Sequence, residues 1–474
     1  MALPFSHSIP SPVSLHPMPS HLAADAPAVP VLPRSTDHHH HKLVISGGGH
    51  LSGHVPISGS KNSALAVLAG ALCCSGGAVV VRGVPDISDA RAMVAILRSL
   101  GAQVQERGGG ELAVDSTALS SAEPAADEVR KIRAGFFVLG PLVARLGEAA
   151  VALPGGHGKV HVKAANGRGL TGGRFHLDYP SVGASETLMM AASMAEGVSV
   201  LTNVAQEPEV ADLARFLVVC GAQIKGVGTR TLVIDGRRSL HGAQFTVIPD
   251  RIETGTFMVA AAITRSCVSL SPVIPCHLTS IIDKLSAVGC RISQKGDGIL
   301  EVGEIWVCCC SSLSMLMPDV LSHNYLQVSA ATATAGGDLR GLYLKTLPYP
   351  GFPTDLQPQF MALLTTCGGP SIVEESVFEN RMHHVKELQK LGARIEVHGR
   401  SAFVKGRTTQ RNVALSGSKV EAADLRGGAA LVLAGMAARG VTEVVGVHHM
   451  DRGYENFEAK LLNLGADISR EVIC

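Results

Sequence analysis

The chain has 474 residues, of which 46% are hydrophobic and 17% are charged, and its formal net charge is +1. This length can bury a large core and indicates two domains. A net charge so close to zero argues against a nucleic-acid or anionic-membrane partner. The best candidate for a membrane span, Leu65–Val81, is interrupted by Ser75-Gly76-Gly77, which argues against a span.

The N-terminal extension, residues 1–41, differs in composition from the rest of the chain. It holds eight prolines, six serines, two acidic residues and a single arginine, and it ends in four consecutive histidines. We expect this extension to be disordered, because proline at such density prevents a packed core. A Ser-rich, acid-poor segment is also a candidate plastid transit peptide, although such peptides are richer in arginine. Without a transit peptide, the expected location is the cytoplasm.

The segment VPISGSKNSAL, Val55–Leu65, predicts a strand that breaks at Ser58-Gly59-Ser60 and leads into a helix. Ser60 is the predicted N-cap, because its hydroxyl can accept from an amide that lacks an intrahelical partner. Lys61 adds a charge to the partial positive charge of the helix start. The segment therefore suits a phosphate or carboxylate, although a solvated surface lysine is the alternative.

A short pattern recurs five times: a helix, a Gly followed by Ala or Cys, and an alternating strand. The glycines are Gly101, Gly221, Gly289, Gly392 and Gly465. We expect each glycine to follow a helix C-terminus with a positive φ. Two of the four intervals are roughly 70 residues, which favours repeated units. The other two intervals between glycines are longer. They fit six units in all if residues have been lost from one unit near Leu153–Val162 and inserted into another at Cys308–Tyr343.

Five further stretches place charged residues beside glycine or proline turns or near predicted helix starts. Each could be a helix cap or a solvated cation if it stood alone. The acidic residues are too dispersed, and too close to cations, to predict a metal site. The eleven cysteines likewise lack CxxC pairs and read as free thiols of a reducing compartment. The stretches are KIRAGFFVLGPLVAR, PDRIETGTF, YPGFPTDLQPQF, FENRMHH and AADLRGGAAL.

Together these segments resemble the UDP-N-acetylglucosamine enolpyruvyl transferase family over roughly residues 42–470. The sister family, enolpyruvyl-shikimate phosphate synthase, would show PGDKS-type and NAGTAMR-type loops, and the sequence contains neither. The matching motifs, in order, are VPISGSKNSAL, RAGFFVLGPLVAR, LPGG, SVGA, EPEV, PDRIETGTF, FPTDLQPQF, VFENR, DLRGGAALVLAG and DRGYENFEAKLLNLGA.

The resemblance implies an inside-out α/β barrel of two domains, each made of repeated βαβαββ units. One domain would span 62–248 and the other 42–61 together with 249–474, with the active site in the cleft between them. The atypical insertion, 308–343, would lie in the second domain. The resemblance also implies a monomer that needs no metal or organic cofactor.

The implied reaction moves the enolpyruvyl group of phosphoenolpyruvate to the 3-hydroxyl of UDP-N-acetylglucosamine and releases phosphate, the first committed step of peptidoglycan precursor synthesis. Phosphoenolpyruvate carries about three negative charges and requires several fixed cations. By resemblance, Lys61 and Arg426 are catalytic, and Asp355 either orients the sugar hydroxyl or acts as its base. The other implied substrate-binding residues are Asn62, Arg133, Tyr179, Pro180, Ser181, Val182, Val377 and Arg381.

The main departure from the family follows LPGG. A loop with a proton-donating cysteine, an arginine and contacts to uridine is expected there, but the sequence continues with His157-Gly158-Lys159. His157 is a weak candidate for a replacement acid. An impaired or inactive relative, or a splice variant, is therefore the alternative to a working transferase. We also expect the missing unit to leave apolar residues such as Val138 and Leu142 exposed and to weaken domain 62–248.

Overall fold

The computed structural model describes residues 41–153, 158–165, 169–295, 325–330, 339–407 and 415–473. The N-terminal extension lies outside the described residues except for His41, which begins the first strand. No helix in the described ranges is long and apolar enough to cross a membrane.

The described part of the chain contains twelve α-helices. They are α1 (Lys61–Gly70), α2 (Ser88–Ser99), α3 (Ala126–Lys131), α4 (Leu139–Leu146), α5 (Val182–Ser193), α6 (Pro208–Val219), α7 (Arg251–Ile263), α8 (Thr279–Val288), α9 (Gln357–Thr365), α10 (His384–Lys390), α11 (Leu425–Ala437) and α12 (Phe457–Asn463).

The same ranges contain twenty-four strands. They are β1 (His41–Ser46), β2 (Ser52–Pro56), β3 (Cys74–Gly76), β4 (Val79–Arg82), β5 (Gln103–Glu106), β6 (Leu112–Asp115), β7 (Glu148–Ala152), β8 (Lys159–Lys163), β9 (Arg174–His176), β10 (Val198–Thr202), β11 (Gln223–Lys225), β12 (Thr231–Asp235), β13 (Leu240–His241), β14 (Gln244–Thr246), β15 (Cys267–Ser271), β16 (Cys290–Lys295), β17 (Tyr325–Ala330), β18 (Tyr343–Lys345), β19 (Ser371–Glu374), β20 (Ile395–His398), β21 (Ser401–Val404), β22 (Lys419–Glu421), β23 (Val441–Val445) and β24 (Asp467–Val472).

Among the described strands, five four-stranded sheets share one topology. In each, an edge strand pairs in parallel with the second strand, and the remaining two pairs are antiparallel. The repeated unit predicted from the sequence is therefore confirmed in five copies. Written from the parallel edge, the orders are β14-β4-β6-β5, β9-β10-β12-β11, β2-β15-β17-β16, β18-β19-β21-β20 and β22-β23-β1-β24.

The repeated glycine performs the same task in all five copies. Each of the five predicted glycines has a positive φ, between 90° and 114°. In each copy a helix ends just before the glycine and an edge strand starts soon after it. Glycine suits this position because it lacks the Cβ that makes a left-handed backbone unfavourable. The prediction of a helix–glycine–strand unit is confirmed.

The sixth unit is shortened at the place that the sequence indicated. Here β7 and β8 form an antiparallel pair, Glu148 to Lys163 and Ala152 to Lys159, without further strands. In four of the five complete units a helix, the repeated glycine and an edge strand lie between the two corresponding strands. In the fifth, the same elements follow β23, and β1 supplies the partner strand from the start of the described chain. Within the described residues the shortened unit therefore lacks one outer helix and both edge strands.

Two details of the sequence interpretation are wrong. Val138 and Leu142 are fully buried, because α4 packs closely on α5: a Cβ at Gly140 would collide with the carbonyl oxygen of Thr187. The segment Cys308–Tyr343 is not wholly an insertion, because β17 lies inside it and pairs with β15 and β16 as the repeat requires. Residues 296–324 and 331–338 of this region lie outside the described residues.

The buried side chains form two hydrophobic cores. The first core contains residues between Ala64 and Val247, and the second contains Leu43–Ile57 together with residues from Ile252 to Ile468. Helices lie inside each core, as α7 illustrates with every residue buried. This agrees with the inside-out α/β architecture that the resemblance implied. The described residues form one compact unit. The division into two domains with boundaries at 62 and 249 therefore stays a proposal.

The chain passes between the two cores at two adjacent segments. Gly59 and Pro249 form an antiparallel bridge. The amide of Ser60 donates to the carbonyl of Ile248 at 2.7 Å, and the amide of Asp250 donates to the carbonyl of Ser58 at 2.9 Å. The two crossing segments therefore hold each other in register and fix where α1 and α7 begin.

Candidate active site

A cavity of about 470 Å³ is lined by residues from the two parts of the chain that build the two cores. Nine of the eleven predicted site residues line it: Lys61, Asn62, Arg133, Tyr179, Pro180, Ser181, Val182, Asp355 and Val377. The other two, Arg381 and Arg426, contact Asp355. The structure thus brings the predicted set together.

Local backbone chemistry positions Lys61 at the first residue of α1. The hydroxyl of Ser60 accepts from the amide of Ser63 at 3.4 Å, so the predicted N-cap is confirmed. The amide of Lys61 donates to Asp250 Oδ2 at 3.0 Å. Gly59 is required just before the cap, because a Cβ there would collide with the carbonyl oxygen of Gly83.

The Lys61 cluster consists of Lys61, Asp89 and Arg452. Lys61 Nζ lies 2.6 Å from Asp89 Oδ2, and Arg452 Nε lies 2.9 Å from Asp89 Oδ1. Burial lowers the pKa of the Lys61 ammonium, Asp89 opposes this shift, and the neighbouring arginines add to it. The cluster carries one net positive charge when all three groups are ionised.

The Asp355 group consists of Asp355, Arg381 and Arg426. Arg381 Nη1 lies 2.7 Å from Asp355 Oδ1, and Arg426 Nη2 lies 3.1 Å from Asp355 Oδ2. Burial by itself would raise the pKa of Asp355, but the two guanidinium groups hold it well below its usual range. This group also carries one net positive charge.

An aromatic ring links cations from the two sides of the cavity. The guanidinium carbon of Arg133 lies 5.3 Å from the ring centroid of Phe378, and that of Arg381 lies 4.7 Å from the same centroid. Such contacts stabilise guanidinium groups on aromatic faces. Arg133, on the first core, therefore approaches the Asp355 group, on the second.

The segment Tyr179–Val182 forms one wall of the cavity. Ser181 caps α5 by accepting from the amide of Ala184 at 3.4 Å. Tyr179 is 47% exposed and lines the cavity. The wall combines an apolar surface with a helix start, which suits a ligand that has a flat or sugar-like part.

Five charged residues that the sequence analysis did not select also line the cavity: Asp89, Glu186, Glu207, Arg251 and Arg452. Three of them lie in quoted motifs, EPEV, PDRIETGTF and DRGYENF, to which no individual roles were attached. Asp89 and Glu186 lie in ordinary helical sequence and carry no motif signal. Only the fold shows that these two acids face the cavity.

The carboxyl cluster consists of Glu186, Glu207 and Glu209, with Arg251 beside them. Arg251 Nε and Nη2 donate to the two carboxylate oxygens of Glu209 at 2.9 and 3.2 Å. Glu207 Oε1 accepts from the amide of Tyr349 at 3.2 Å. Burial, and secondarily Glu209 and Glu207, raises the pKa of Glu186 well above its usual value. Burial also raises the pKa of Glu207.

The place where the catalytic loop is expected, residues 154–157 with His157, lies outside the described residues. No cysteine lines the cavity among the described residues. In the same ranges no cluster of His, Cys, Asp and Glu could hold a metal ion.

Comparison with known proteins gives one consistent result. The chain matches the family model described as EPSP synthase (3-phosphoshikimate 1-carboxyvinyltransferase) at residues 45–158 and 156–461. The two matched segments meet at the shortened unit.

Two curated relatives are both named UDP-N-acetylglucosamine 1-carboxyvinyltransferase. The protein from Gloeobacter violaceus is 46% identical and the alignment covers 90% of each chain. The protein from Synechocystis is 42% identical over 92% of this chain and 97% of its own length.

Among solved structures, the enolpyruvyl transferase NikO from Streptomyces tendae superposes with a TM-score of 0.77 at 27% identity, covering 92% of this chain and 99% of its own. EPSP synthase from Acinetobacter baumannii superposes with a TM-score of 0.65 at 16% identity, covering 91% of this chain and all of its own, and so supports the fold alone.

Proposed function

Because the chain belongs to the EPSP synthase (3-phosphoshikimate 1-carboxyvinyltransferase) family, we propose that it moves the enolpyruvyl group of phosphoenolpyruvate to the 3-hydroxyl of UDP-N-acetylglucosamine. Phosphate is released, in the first committed step of peptidoglycan precursor synthesis. The relatives' names support this acceptor, as does the absence of the shikimate-type lysine loop from the sequence.

The observation that carries the proposal is the set of cations on one side of the cavity. The Lys61 cluster and the Asp355 group each have one net positive charge, and Arg133 adds a third beside Phe378. Phosphoenolpyruvate brings about three negative charges, and fixed cations in a closed cleft stabilise such an anion more strongly than water does. The cationic set therefore suits this substrate.

Asp355 fits an orienting role better than that of a base. A carboxylate whose pKa lies far below its usual range accepts a proton poorly. It can still accept a hydrogen bond from the sugar 3-hydroxyl and align the oxygen for attack. We therefore assign orientation of the hydroxyl to Asp355 and stabilisation of charge to its two arginines.

The proposed chemistry is addition followed by elimination. The 3-hydroxyl oxygen bonds to C2 of phosphoenolpyruvate and loses its proton, while C3 gains a proton, which gives a tetrahedral ketal. Loss of a proton from C3 and of phosphate from C2 then restores the double bond. Closure of the cleft would exclude water during these steps.

The direct experiment incubates the full chain with phosphoenolpyruvate and UDP-N-acetylglucosamine. Phosphate release and a product heavier by one enolpyruvyl group would support the proposal. A second candidate function, a non-catalytic relative, is favoured by the missing helix and strand between β7 and β8. Binding of both substrates without phosphate release would support that alternative instead.

Location and assembly are further proposals. We propose plastid import directed by residues 1–41, tested by fusing these residues to a fluorescent reporter; a cytoplasmic reporter would contradict it. We propose a monomer, tested by light scattering coupled to size-exclusion chromatography, where a mass near twice 49.3 kDa would contradict it.

A further inference from the structure

Glu186 is a buried acid that has no hydrogen-bond partner among the described residues. It lies on α5, is 1% exposed and lines the cavity. Both carboxyl oxygens are inaccessible to solvent and make no hydrogen bond to the described residues. Glu207 lines the same cavity, and its Oε2 is likewise inaccessible to solvent and makes no hydrogen bond to the described residues.

Such groups are rare because they are unfavourable. A buried polar group that lacks a partner loses its hydration without compensation. Most buried polar side chains therefore have partners, and an exception requires an explanation. In a cavity wall, a ligand that supplies the missing hydrogen bonds is one such explanation.

The carboxyl cluster and the Lys61 cluster have separate electrostatic surroundings within one cavity. The charged groups that affect Glu186 are Glu209 and Glu207. Those that affect Lys61 are Asp89, Arg426 and Arg452. The only cation bonded to the carboxyl cluster in the described residues is Arg251, and Glu209 occupies it with a bidentate pair.

This separation indicates which part of a ligand each side takes. Phosphate and carboxylate groups are attracted to the cations and repelled by unpaired acids. Hydroxyl and amide N–H groups can donate to carboxyl oxygens, and a neutral carboxyl group can also donate in return. The carboxyl side therefore suits an uncharged, donor-rich part of a ligand.

We propose that Glu186, together with Glu207, hydrogen-bonds donor groups on the uncharged sugar of the acceptor substrate. The inference rests on the proposed function, because the acceptor there is a sugar nucleotide. Glu186 would thus determine specificity for the sugar, whereas the cations hold phosphoenolpyruvate.

The test compares Glu186→Leu and Glu186→Gln with the wild-type chain by calorimetric titration with UDP-N-acetylglucosamine and with UDP alone. Losing hydrogen bonds to a carboxyl group should weaken binding of the sugar nucleotide roughly 10-fold to 100-fold in Glu186→Leu. Binding of UDP should change little. Glu186→Gln, which keeps an acceptor and donors, should lose less than Glu186→Leu.

The melting temperature of the unliganded protein gives an independent readout. Removing a buried carboxyl group that has no partner should leave the melting temperature of Glu186→Leu unchanged or higher, whereas loss of a structural group would lower it. Glu186→Ala replaces the leucine variant if the latter does not fold. Glu196→Leu, an exposed acid after the same helix, is the matched control and should change neither binding nor stability.

The outcomes separate the two proposals. Unchanged affinity of Glu186→Leu for UDP-N-acetylglucosamine, or an equal loss for UDP, would overturn the role of Glu186 while turnover stands. Wild-type binding without turnover would overturn the proposed reaction, and the variants would still decide the sugar contact. A wild-type chain that binds no sugar nucleotide would overturn both.

Discussion

Lys61 and Asp355 are both partly neutralised before any substrate arrives. Asp89 holds the ammonium of Lys61 at 2.6 Å, and Arg381 holds the carboxylate of Asp355 at 2.7 Å. These ion pairs fix the side chains where a substrate would meet them. Preorganisation of this kind lowers the reorganisation needed at the moment of reaction.

Lys61→Ala is expected to lower turnover by roughly 10²-fold to 10³-fold, because it removes a buried charge that faces the phosphoenolpyruvate anion. The fold should persist, since Asp89 keeps its bond to Arg452. Phosphate release measures the effect. Lys131→Ala removes an exposed lysine of α3 and serves as the control; turnover of Lys61→Ala equal to that of this control would contradict the assignment.

Asp355→Asn is expected to lose both turnover and stability. Three prolines stiffen the loop that holds Asp355, but they cannot balance the charge of Arg426. The guanidinium of Arg426 is buried, and its positive charge is compensated by the Asp355 carboxylate. Loss of a buried ion-pair partner costs about 3–5 kcal/mol. Urea unfolding at neutral pH, with exposed Asp127→Asn as control, would measure the difference. Stability equal to wild type would contradict it.

The difference in unfolding free energy between wild type and Asp355→Asn should depend on pH in a predictable direction. The pKa of Asp355 is lowered in the folded state, so its contribution to stability is present above the unfolded pKa of about 3.9. That contribution is lost as pH falls below this value toward the folded pKa. The difference between wild type and Asp355→Asn should therefore narrow on acidification below about pH 4.

Sequence patterns could identify the residues with motif signals but not all residues of the cavity. Lys61, Asp355 and Arg426 lie beside glycine or proline turns, which make them recognisable in the sequence alone. Glu186 lies inside a regular helix, and its missing partners depend on how α5 packs in three dimensions. No local pattern encodes that absence.

At the scale of elements, the helix–glycine–strand unit was predictable because its backbone demand is local. A positive φ after a helix favours glycine wherever it occurs. The burial of Val138 and Leu142 was not predictable, because the neighbour that covers them, α5, lies about forty residues away along the chain. The sequence interpretation inferred, from the loss of an outer helix, that the inner helix α4 would be exposed.

Substitution of two repeat glycines should separate backbone strain from crowding. Gly392→Ala meets no atom within 4 Å, so it should cost only the left-handed strain of about 1–2 kcal/mol. Gly101→Ala adds a Cβ 3.0 Å from the carbonyl oxygen of Ala118 and should cost more. Chemical denaturation measures both, with Gly49→Ala as an unstrained control. Equal losses at the two positions would contradict this account.

For the whole molecule, the shortened unit should mark the weakest region. A two-stranded sheet is marginally stable by itself, and β7 and β8 pair only with each other among the described strands. We expect amide exchange to be fastest there, and faster across the first core than across the second. Equal amide protection in both cores would contradict this prediction and would mean that the missing elements do not weaken the first core.

Restoring the missing elements gives the complementary test. A segment of about 20 residues, inserted before Lys159 and designed as a helix, a glycine and an edge strand, should add a third strand to the sixth sheet. The amides of β7 and β8 should then become better protected. An insertion of equal length rich in Gly and Ser is the control, and equal protection with both insertions would contradict the prediction.

The position of β1 has a consequence for the order in which a growing polypeptide can fold. This strand lies between β23 and β24 in its sheet, and Lys42 bonds to Glu443, which is 401 residues later. The first core, by contrast, is built from one uninterrupted stretch of chain. During synthesis that stretch can fold while the ribosome is still translating the remainder, as N-terminal units generally do. The segment before it must wait, unpaired, until β23 and β24 have been synthesised.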